Sequence, residues 1–250
     1  MKITIITAAY NSASTIADAI ESVRSQSYPE IEHIVADGCS TDDTCSIVER
    51  HRHPGLRLFS EPDGGIYDAL NKAIARSTGD VVGLVHSDDF LAHSQVLETV
   101  ARAFEDPSVE AVYGDLTYVA KDNPARVIRY WRAGEFKRRK LRYGWMPPHP
   151  SLYLRSSVFD RMGCYDTRYR IAADYDFILR YFKDVRVQPV YIPEVLLVMR
   201  VGGASNGNLS GIIRKMGEDY ASIKRNGIGG IEVLLAKNLS KAGQLLPLGR

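Results

Sequence analysis

Strand-like and helix-like segments alternate through the first 85 residues, and this alternation constrains the fold more than any other feature of the sequence. Short runs of β-branched and aliphatic residues are each followed by apolar residues at helical spacing. Repeated units of this kind are typical of a parallel sheet flanked by helices. The predicted strands are 3–7, 33–36, 56–59 and 81–85, and the predicted helices are 14–25, a helix through 47 and 48, and 66–75.

A polar group follows each of these four strands. The groups are Tyr10-Asn11, Asp37-Gly38, Asp63-Gly64-Gly65 and Asp88-Asp89. Turn chemistry explains any single Asp-Gly pair, and an Asp after a strand can also cap a helix. Open α/β sheets, however, bind ligands at the carboxyl ends of their strands, so four polar exits along one edge predict a binding site. The adjacent carboxylates Asp88 and Asp89 indicate a divalent cation there, for which magnesium or manganese fits.

The alternation weakens after residue 89. A helix is expected at 95–104 and strands at 109–119 and 125–131, as antiparallel additions to the sheet. The basic and aromatic segment 136–145 is predicted to be irregular and exposed. A helix over 177–181 follows Asp174 and Asp176, and closing strands are expected at 185–191 and 196–199. Helical spacing returns from Leu209 to Ile223, and a basic amphipathic piece runs from Ile231 to about Leu246.

Composition excludes several classes of protein. The 32 basic and 30 acidic residues nearly cancel, so the charge balance does not demand a nucleic-acid partner. The three cysteines form no C-x-x-C pair and are expected to be free thiols, which suits a reducing compartment. There is no signal-peptide pattern, and no run approaches the roughly 20 apolar residues that span a bilayer. We therefore expect a cytoplasmic protein that at most contacts the inner face of the membrane.

Phosphate-binding fingerprints are also missing. No G-x-x-x-x-G-K-[ST] or G-x-G-x-x-G motif follows any predicted strand. A nucleotide diphosphate bound at this edge would therefore need a cation, rather than a glycine-rich cradle, to meet its charge.

Five sequence blocks resemble, in order and spacing, the inverting family-2 glycosyltransferases of the GT-A fold, and most of all the bacterial branch that builds capsule, colanic-acid-like or O-antigen chains. The blocks are 7–11, 37–42, 61–72, 87–89 and 173–176. The resemblance covers about residues 1 to 200 and implies an α/β, GT-A type, Rossmann-like mixed sheet. The sheet would be mainly parallel in its N-terminal half, flanked by helices and followed by a helical tail. The implied domains are 1–205, with a nucleotide-binding half at 1–90 and an acceptor-binding half at 91–205, and a tail at 206–250.

The resemblance also implies roles for individual residues. Residues expected at the nucleotide-sugar donor are Ala9, Tyr10, Asn11, Asp37, Asp63, Gly64, Gly65, Tyr67, Asn71, Lys72, Ser87, Asp88 and Asp89, with Asp37 contacting the base. Asp88 and Asp89 match the metal-binding DXD-type element, although His86 stands where many members carry its first acid. Asp174 matches the general base, although Ala173 replaces the Glu that usually precedes it. Trp145 and His149 are candidates for acceptor contact, and His149 is also a candidate for metal binding.

The implied function is metal-dependent transfer of a single sugar from a nucleotide-diphosphate-sugar donor to a glycan or lipid-linked acceptor, with no nucleic-acid partner. A non-catalytic sugar-nucleotide-binding protein is the alternative that the changes at His86 and Ala173 allow. A nucleotidyltransferase is disfavoured because no Gly-rich basic loop follows the first strand. The basic run 137–142, next to Trp145, and the basic tail are consistent with either a solvated face or contact with an anionic lipid surface.

Overall fold

The structure is a computed structural model that describes residues 1–201 and 209–243. Within these residues, nine strands form a single sheet. The strands are β1 (Ile3–Ala9), β2 (Ile31–Asp37), β3 (Leu56–Ser60), β4 (Val81–Leu84), β5 (Phe90–Leu91), β6 (Ala111–Val119), β7 (Val127–Trp131), β8 (Leu152–Arg155) and β9 (Val190–Arg200). The helices are α1 (Ile16–Arg24), α2 (Thr44–Arg50), α3 (Ile66–Arg76), α4 (Val96–Ala103), α5 (Ser156–Met162), α6 (Ala173–Phe182), α7 (Leu209–Arg225) and α8 (Ile231–Gly243).

The sheet is mixed, and its N-terminal half is parallel. Its strand order is β3-β2-β1-β4-β8-β6-β9-β5, with β7 paired to β6 beside this path. Strands β3, β2, β1 and β4 run parallel, whereas β8 is antiparallel to both β4 and β6. Strands β6 and β9 are parallel to each other. The predicted alternating half is confirmed, and the later additions to the sheet are antiparallel only in part.

Hydrophobic clusters cover both faces of this sheet. Neighbouring residues of β1 point in opposite directions, so that Ile5 joins one cluster and Ile6 the other, and both side chains are fully buried. A strand buried on both faces is expected where helices cover a parallel sheet on each side. The core therefore fixes the strands rigidly, and the loops at their carboxyl ends are free to build a site.

Strand β9 corrects the prediction of two closing strands. Residues Val190 to Arg200 form one strand, but its pairing with β6 shifts register next to Gly114 and Asp115. In that register Pro193 and Glu194 have no partner on β6. Proline cannot donate to a sheet, so it is accommodated in a bulge. Pro193 therefore interrupts the hydrogen bonding without ending the strand.

The segment 136–145 is not the irregular, exposed loop predicted from the sequence. Residues Arg138–Tyr143 form a short 3₁₀ helix, and Leu141 within it is buried. The indole of Trp145 is half-buried against Tyr113, Phe136 and Phe182, with ring centroids 5.3 to 5.8 Å away. Phe136 and Trp145 therefore pack against the core, whereas Arg139, Arg142 and Tyr143 are exposed at the surface.

Two helices complete the described chain. Helix α7 packs against α6, and α8 packs against both α7 and the 3₁₀ helix. None of the helices in the described ranges is long and apolar enough to cross a membrane. The predicted domain boundaries at 90 and 205 stay predictions, and residue 205 itself lies outside the described residues. The predicted end of the last helix near Leu246 also lies outside them.

Candidate functional site

A cleft of about 970 Å³ opens at the carboxyl ends of the parallel strands. The loop after each of β1, β2, β3 and β4 contributes to its wall, and the opposite wall comes from α6, β9, α7 and α8. The predicted site residues that line it are Ala9, Tyr10, Asn11, Asp63, Gly65, Tyr67, Ser87, Asp88, His149 and Asp174. Strand exits that are up to 78 residues apart in sequence thus meet in one cavity.

Hydrogen bonds fasten the loops after β1 and β2 to each other. The backbone N–H of Asn11 donates to the Ser40 hydroxyl at 2.8 Å, and the Asn11 side-chain oxygen accepts from the Thr41 N–H at 2.9 Å. Asn11 and Cys39 both have positive φ angles, 48° and 62°. Asparagine tolerates this conformation, whereas it is unusual for cysteine and marks a backbone that its surroundings hold in place.

The loop after β3 closes against the loop after β2. A Cβ atom placed on Gly38 would lie 2.5 Å from an Asp63 carboxylate oxygen, so a side chain there would displace this carboxylate. The other Asp63 oxygen accepts from the N–H of Gly65 at 2.8 Å, which holds the turn that starts α3. The glycine of the Asp37-Gly38 pair therefore lets the two loops approach closely without moving Asp63.

The two adjacent carboxylates after β4 have different surroundings. Asp88 lines the cleft, and within the described residues no cation or hydrogen-bond donor pairs with its carboxylate. Asp89 is fully buried and lies outside the cleft wall, and one of its oxygens accepts from the N–H of Arg200 at 3.2 Å. Burial, reinforced by the charge of Asp88, raises the pKa of Asp89 well above its ordinary value. Of the two carboxylates, the structure therefore places only Asp88 in the cleft wall.

Arg200, at the end of β9, fixes this loop. Its guanidinium donates to the backbone oxygen of Asp88 at 2.9 Å and pairs with Asp18 of α1 at 2.5 Å. The Arg200 side chain is buried, and its cation also lies over the ring of Phe90 at 5.0 Å. Arg200 and Asp89 together hold the backbone so that the Asp88 carboxylate points into the cleft.

Asp174 stands in the first turn of α6, on the cleft wall facing the strand exits. The Tyr67 hydroxyl lies 3.1 Å from its carboxylate and 2.8 Å from the backbone oxygen of Ile171. Burial, followed by the charge of Asp174, raises the pKa of Tyr67 well above its ordinary value, so the phenol stays protonated and donates. No side chain caps α6, and its N-cap residue is Ala172, so the geometry does not assign Asp174 to helix capping.

Glu218 on α7 holds the start of α6 from the other side. One carboxylate oxygen accepts from the N–H groups of Ile171 and Ala172 at 2.8 and 2.9 Å, and the other accepts from Arg170 at 3.1 Å. These are free donors that precede the first helical turn, and a negative charge is favourable at that end of the helix. A residue of the predicted tail thus determines where Asp174 lies.

Two histidines lie beside these carboxylates. The ring centroids of His86 and His149 are 6.4 Å apart, and the Nε2 atom of His149 is 2.8 Å from the Tyr165 hydroxyl. Burial lowers the pKa of His149 to about 4, so the ring is neutral at pH 7. Burial also lowers the pKa of His86, although Asp88 and Asp174 act in the opposite direction. The Nδ1 atom of His86 is buried without a hydrogen-bond partner in the described chain.

Four other residues that were predicted to contact the nucleotide-sugar donor lie behind or beside the cleft wall. Asp37 is 2% exposed and accepts from the Ser40 N–H at 3.0 Å and the Ser60 hydroxyl at 2.7 Å. Burial alone would raise the pKa of Asp37, but the hydrogen bonds from Ser40 and Ser60 outweigh it and lower the pKa. Gly64, Asn71 and Lys72 are also absent from the wall.

The last two of these residues make structural contacts instead. The Asn71 amide forms two hydrogen bonds, at 2.8 and 3.0 Å, with the backbone of Tyr165. Lys72 pairs with Asp68 at 2.8 Å and donates to the oxygen of Pro62 at the same distance. Trp145, expected near an acceptor, donates from its indole N–H to Ala133 at 2.9 Å and is likewise absent from the wall.

A buried ion pair from the C-terminal helices lines the cleft and was not anticipated. Lys237 of α8 and Asp219 of α7 are 2.7 Å apart, and both side chains are 2% exposed. The ammonium also lies 3.1 Å from the ring centroid of Tyr175. Burial lowers the pKa of Lys237 to about 8, against the opposing effect of Asp219. The only sequence signal is a lysine four residues after Val233, on the same side of α8.

The residues of the cleft fit a divalent cation that is held partly by the protein and partly by substrate phosphates. Among residues 1–201 and 209–243, no three His, Cys, Asp or Glu side chains converge on one point. A cage built from protein ligands alone is therefore not formed there. Mg²⁺ and Mn²⁺ are commonly held by one or two carboxylates together with substrate phosphates, and the unpaired carboxylate of Asp88 suits that arrangement.

Comparison with known sequences gives a consistent result. The model of the family Glycosyl transferase family 2 matches residues 4–161 of this chain. An uncharacterised glycosyltransferase of Mycobacterium tuberculosis is 34% identical over 223 residues, which are 86% of this chain and 83% of that protein. A PGL/p-HBAD biosynthesis glycosyltransferase of Mycobacterium bovis is 29% identical over 208 residues, 81% of this chain and 78% of that protein.

Solved structures resemble the fold. S. aureus TarS 1-349 in complex with UDP-GlcNAc aligns with a TM-score of 0.71 at 20% identity, covering 94% of this chain and 67% of that one. Mannosyltransferase PcManGT from Pyrobaculum calidifontis, in complex with GDP-Man and Mn²⁺, aligns with a TM-score of 0.68 at 24% identity, covering 98% of this chain and 72% of that one. Against another S. aureus TarS structure, the alignment spans 40% of that chain. These likenesses confirm the expected GT-A-like α/β fold.

Proposed function

The chain belongs to glycosyl transferase family 2, and from that premise we propose that it transfers one sugar from a nucleotide-diphosphate donor to a hydroxyl group of a bacterial surface polysaccharide or a lipid-linked acceptor. The family makes the chain an inverting glycosyltransferase. One observation carries the finer proposal: the Asp174 carboxylate and the unpaired Asp88 carboxylate line the same cleft.

Asp174 is the proposed general base. It would take the proton of the acceptor hydroxyl as that oxygen bonds to the anomeric carbon, while the bond from the anomeric carbon to the diphosphate breaks and leaves its electron pair on the phosphate oxygen. Attack from the face opposite the leaving group inverts the configuration. The Tyr67 hydroxyl, 3.1 Å away, orients the carboxylate. His149 is neutral at pH 7 and forms part of the same wall, where its ring would contact either the acceptor or the metal.

Asp88 is the proposed metal ligand, and the cation would neutralise charge on the leaving diphosphate. The presence of Mn²⁺ and GDP-Man in PcManGT supports this choice. Asp89 is assigned a different role from the one expected: through Arg200 it anchors the loop that presents Asp88.

The donor end of the cleft is proposed at the loops after β1, β2 and β3. Tyr10 is 64% exposed there, so its ring is available to stack on a base. Asp37 would act through the backbone of the Gly38 loop that it holds. The UDP-GlcNAc and GDP-Man bound by the structural relatives support a nucleotide-diphosphate sugar as donor.

The proposal is tested on purified protein by a thermal-shift screen of nucleotide-diphosphate sugars with Mn²⁺, because a ligand that binds the folded state raises its apparent stability. The best donor is then assayed for transfer and hydrolysis with and without EDTA. We expect EDTA and Asp88→Asn to remove turnover, whereas Asp122→Asn, at an exposed surface carboxylate, leaves it unchanged. Full turnover in EDTA would contradict the metal role. Tight donor binding without turnover on any acceptor would instead support a non-catalytic sugar-nucleotide-binding protein.

A further inference from the structure

Helix α7 packs several polar side chains, together with Ile223, against the protein and exposes four large apolar side chains to solvent. Glu218 and Asp219 on the inner side bond to α6 and α8, and Asn226 donates to the buried carboxylate of Asp176 at 3.0 Å. The exposed apolar residues are Ile212 (50%), Ile213 (62%), Met216 (40%) and Tyr220 (40%). An ordinary surface helix buries its large apolar residues, so this exposed face is suited to contact with an apolar partner or surface.

Helix α8 buries Val233 and Leu234 in the core, but it also exposes an apolar stripe. Lys237 points inward and is buried, whereas Ile231, Leu235 and Leu239 are 56%, 53% and 73% exposed. These three residues are four positions apart and therefore form one stripe along the helix. Since α7 and α8 pack against each other, the two exposed stripes lie on adjoining helices. We call these seven residues, Ile212, Ile213, Met216, Tyr220, Ile231, Leu235 and Leu239, the C-terminal apolar surface.

The surroundings of this surface are strongly basic. On the two helices the exposed charged side chains of the described residues are the basic Arg214, Lys224 and Arg225 and the acidic Glu232. Residues 137–142 carry five basic and no acidic side chains. The 3₁₀ helix at Arg138–Tyr143 packs on α8, and a Cβ on Gly144 would lie 2.4 Å from the backbone of Lys237. Arg139 and Arg142 are exposed there, next to Tyr143, which is 68% exposed. The rest of a chain with a net charge of only +2 must be acidic in compensation, so the positive charge is concentrated here.

We propose that the C-terminal apolar surface docks on a lipid bilayer that contains anionic lipids. Apolar side chains flanked by cations are the combination that binds such an interface. A second copy of the chain fits less well, because a two-fold contact would bring two basic surfaces together. The helices that carry the surface also contribute Lys215 and Lys237 to the cleft. Docking would therefore bring the cleft close to the bilayer, and on the proposed transferase function it would serve a lipid-linked acceptor.

The test is co-sedimentation of the full chain with phosphatidylcholine vesicles made with and without phosphatidylglycerol, at low and high salt. We expect binding only to the anionic vesicles, weakened by salt. Ile213→Glu and Leu239→Glu should each lower the partition coefficient at least about tenfold, and Arg139→Ala and Arg142→Ala about fivefold each. Val127→Glu is the matched control, because Val127 is 60% exposed on β7 and should leave binding unchanged.

Thermal melting of each variant checks that the fold is intact. Wild-type protein that does not bind anionic vesicles at low salt, or Glu variants that bind as well as wild type, would overturn the proposal. A dimer in solution that Ile213→Glu dissociates would show that a second copy covers the surface instead. The assay uses neither donor nor acceptor, so its failure is distinguishable from failure of the transferase proposal.

Discussion

Glu218 provides the most specific test of how the site is held together. Its carboxylate accepts three backbone N–H groups, from Arg170, Ile171 and Ala172, at 3.1, 2.8 and 2.9 Å. We predict that Glu218→Gln and Glu218→Ala lower kcat while the affinity for the donor stays nearly unchanged. The reason is that these bonds set the start of α6, which carries Asp174, but do not touch the loops after β1 to β3.

The size of the effect can be estimated from the geometry. A hydrogen bond to a charged group contributes about 1.5 to 3 kcal/mol, and half-exposure of Glu218 favours the lower figure. Glutamine keeps one acceptor oxygen, so Glu218→Gln loses about one such bond. Glu218→Ala loses all three, but water can accept hydrogen bonds from some of the freed N–H groups. The upper limit assumes that the entire free energy of the lost hydrogen bonds lowers the fraction of molecules in which Asp174 is correctly placed. On that assumption kcat falls at most about tenfold for Glu218→Gln and about a hundredfold for Glu218→Ala.

The assay is steady-state transfer with the donor varied, together with calorimetric titration of the nucleotide. Glu232→Gln is the matched control, because Glu232 also accepts from a backbone N–H, that of Gly230 at 2.7 Å, but at the start of α8. Glu218 variants with the kcat of wild type would refute the reasoning. Parallel losses of kcat and nucleotide affinity would show general damage to the fold rather than displacement of α6.

Two further predictions concern stability. Burial lowers the pKa of His33 to about 3 and of His149 to about 4, so as the pH falls the unfolded chain takes up protons first and the folded state is disfavoured. We expect the free energy of unfolding, measured with urea, to be nearly constant between about pH 7 and pH 8 and to fall below about pH 6.5 by at most about 1.4 kcal/mol per pH unit for each histidine. A flat profile down to about pH 5 would contradict this. Lys237→Ala should lower the free energy of unfolding by about 3 to 5 kcal/mol, because it leaves Asp219 buried without its closest cation. The control Lys224→Ala, on the exposed side of α7, should lower it by less than about 0.5 kcal/mol. Equal losses in the two variants would contradict a stabilising role of the buried pair.

The N-terminal half of the fold follows from local patterns. In β1 through β4 the apolar runs, the helical spacing between them and the polar exits all point to the same parallel arrangement, so each level of the pattern supports the others. The meeting of Asp63 with Gly38, and of Asn11 with Ser40 and Thr41, then follows from the parallel order of the strands. Both could be anticipated because parallel strands end at one edge.

The second half depends on contacts that are distant in sequence. Pro193 lies between the two predicted closing strands, but the register with β6 absorbs it in a bulge of one strand, and only pairing reveals that. Trp145 was expected to contact the acceptor, whereas it packs against Phe136 of its own segment and against Tyr113 and Phe182, which are distant in sequence. Asp88 and Asp89 are identical in type and adjacent, and only Arg200, more than a hundred residues later, distinguishes the ligand from the anchor.

The contribution of α7 and α8 to the site could not be found from periodicity. Apolar spacing correctly predicted helices there, but it does not show which residues face inward: Ile223, Val233 and Leu234 are buried, whereas most of the other large apolar residues of known exposure on these helices face solvent. Glu218 and Asp219 are polar residues on a helix that would ordinarily place them in solvent. Their inward position becomes evident only from their partners at the start of α6 and on α8.

The proposed reaction depends most directly on Asp174 as the base that removes the proton of the acceptor hydroxyl. The decisive measurement is single-turnover transfer by Asp174→Asn, compared with wild type, on enzyme saturated with the best donor of the screen. We predict a loss of at least about a hundredfold in the rate, with a donor dissociation constant within about threefold of the wild-type value, a difference of less than about 0.7 kcal/mol. Transfer by Asp174→Asn at the wild-type rate would contradict the account.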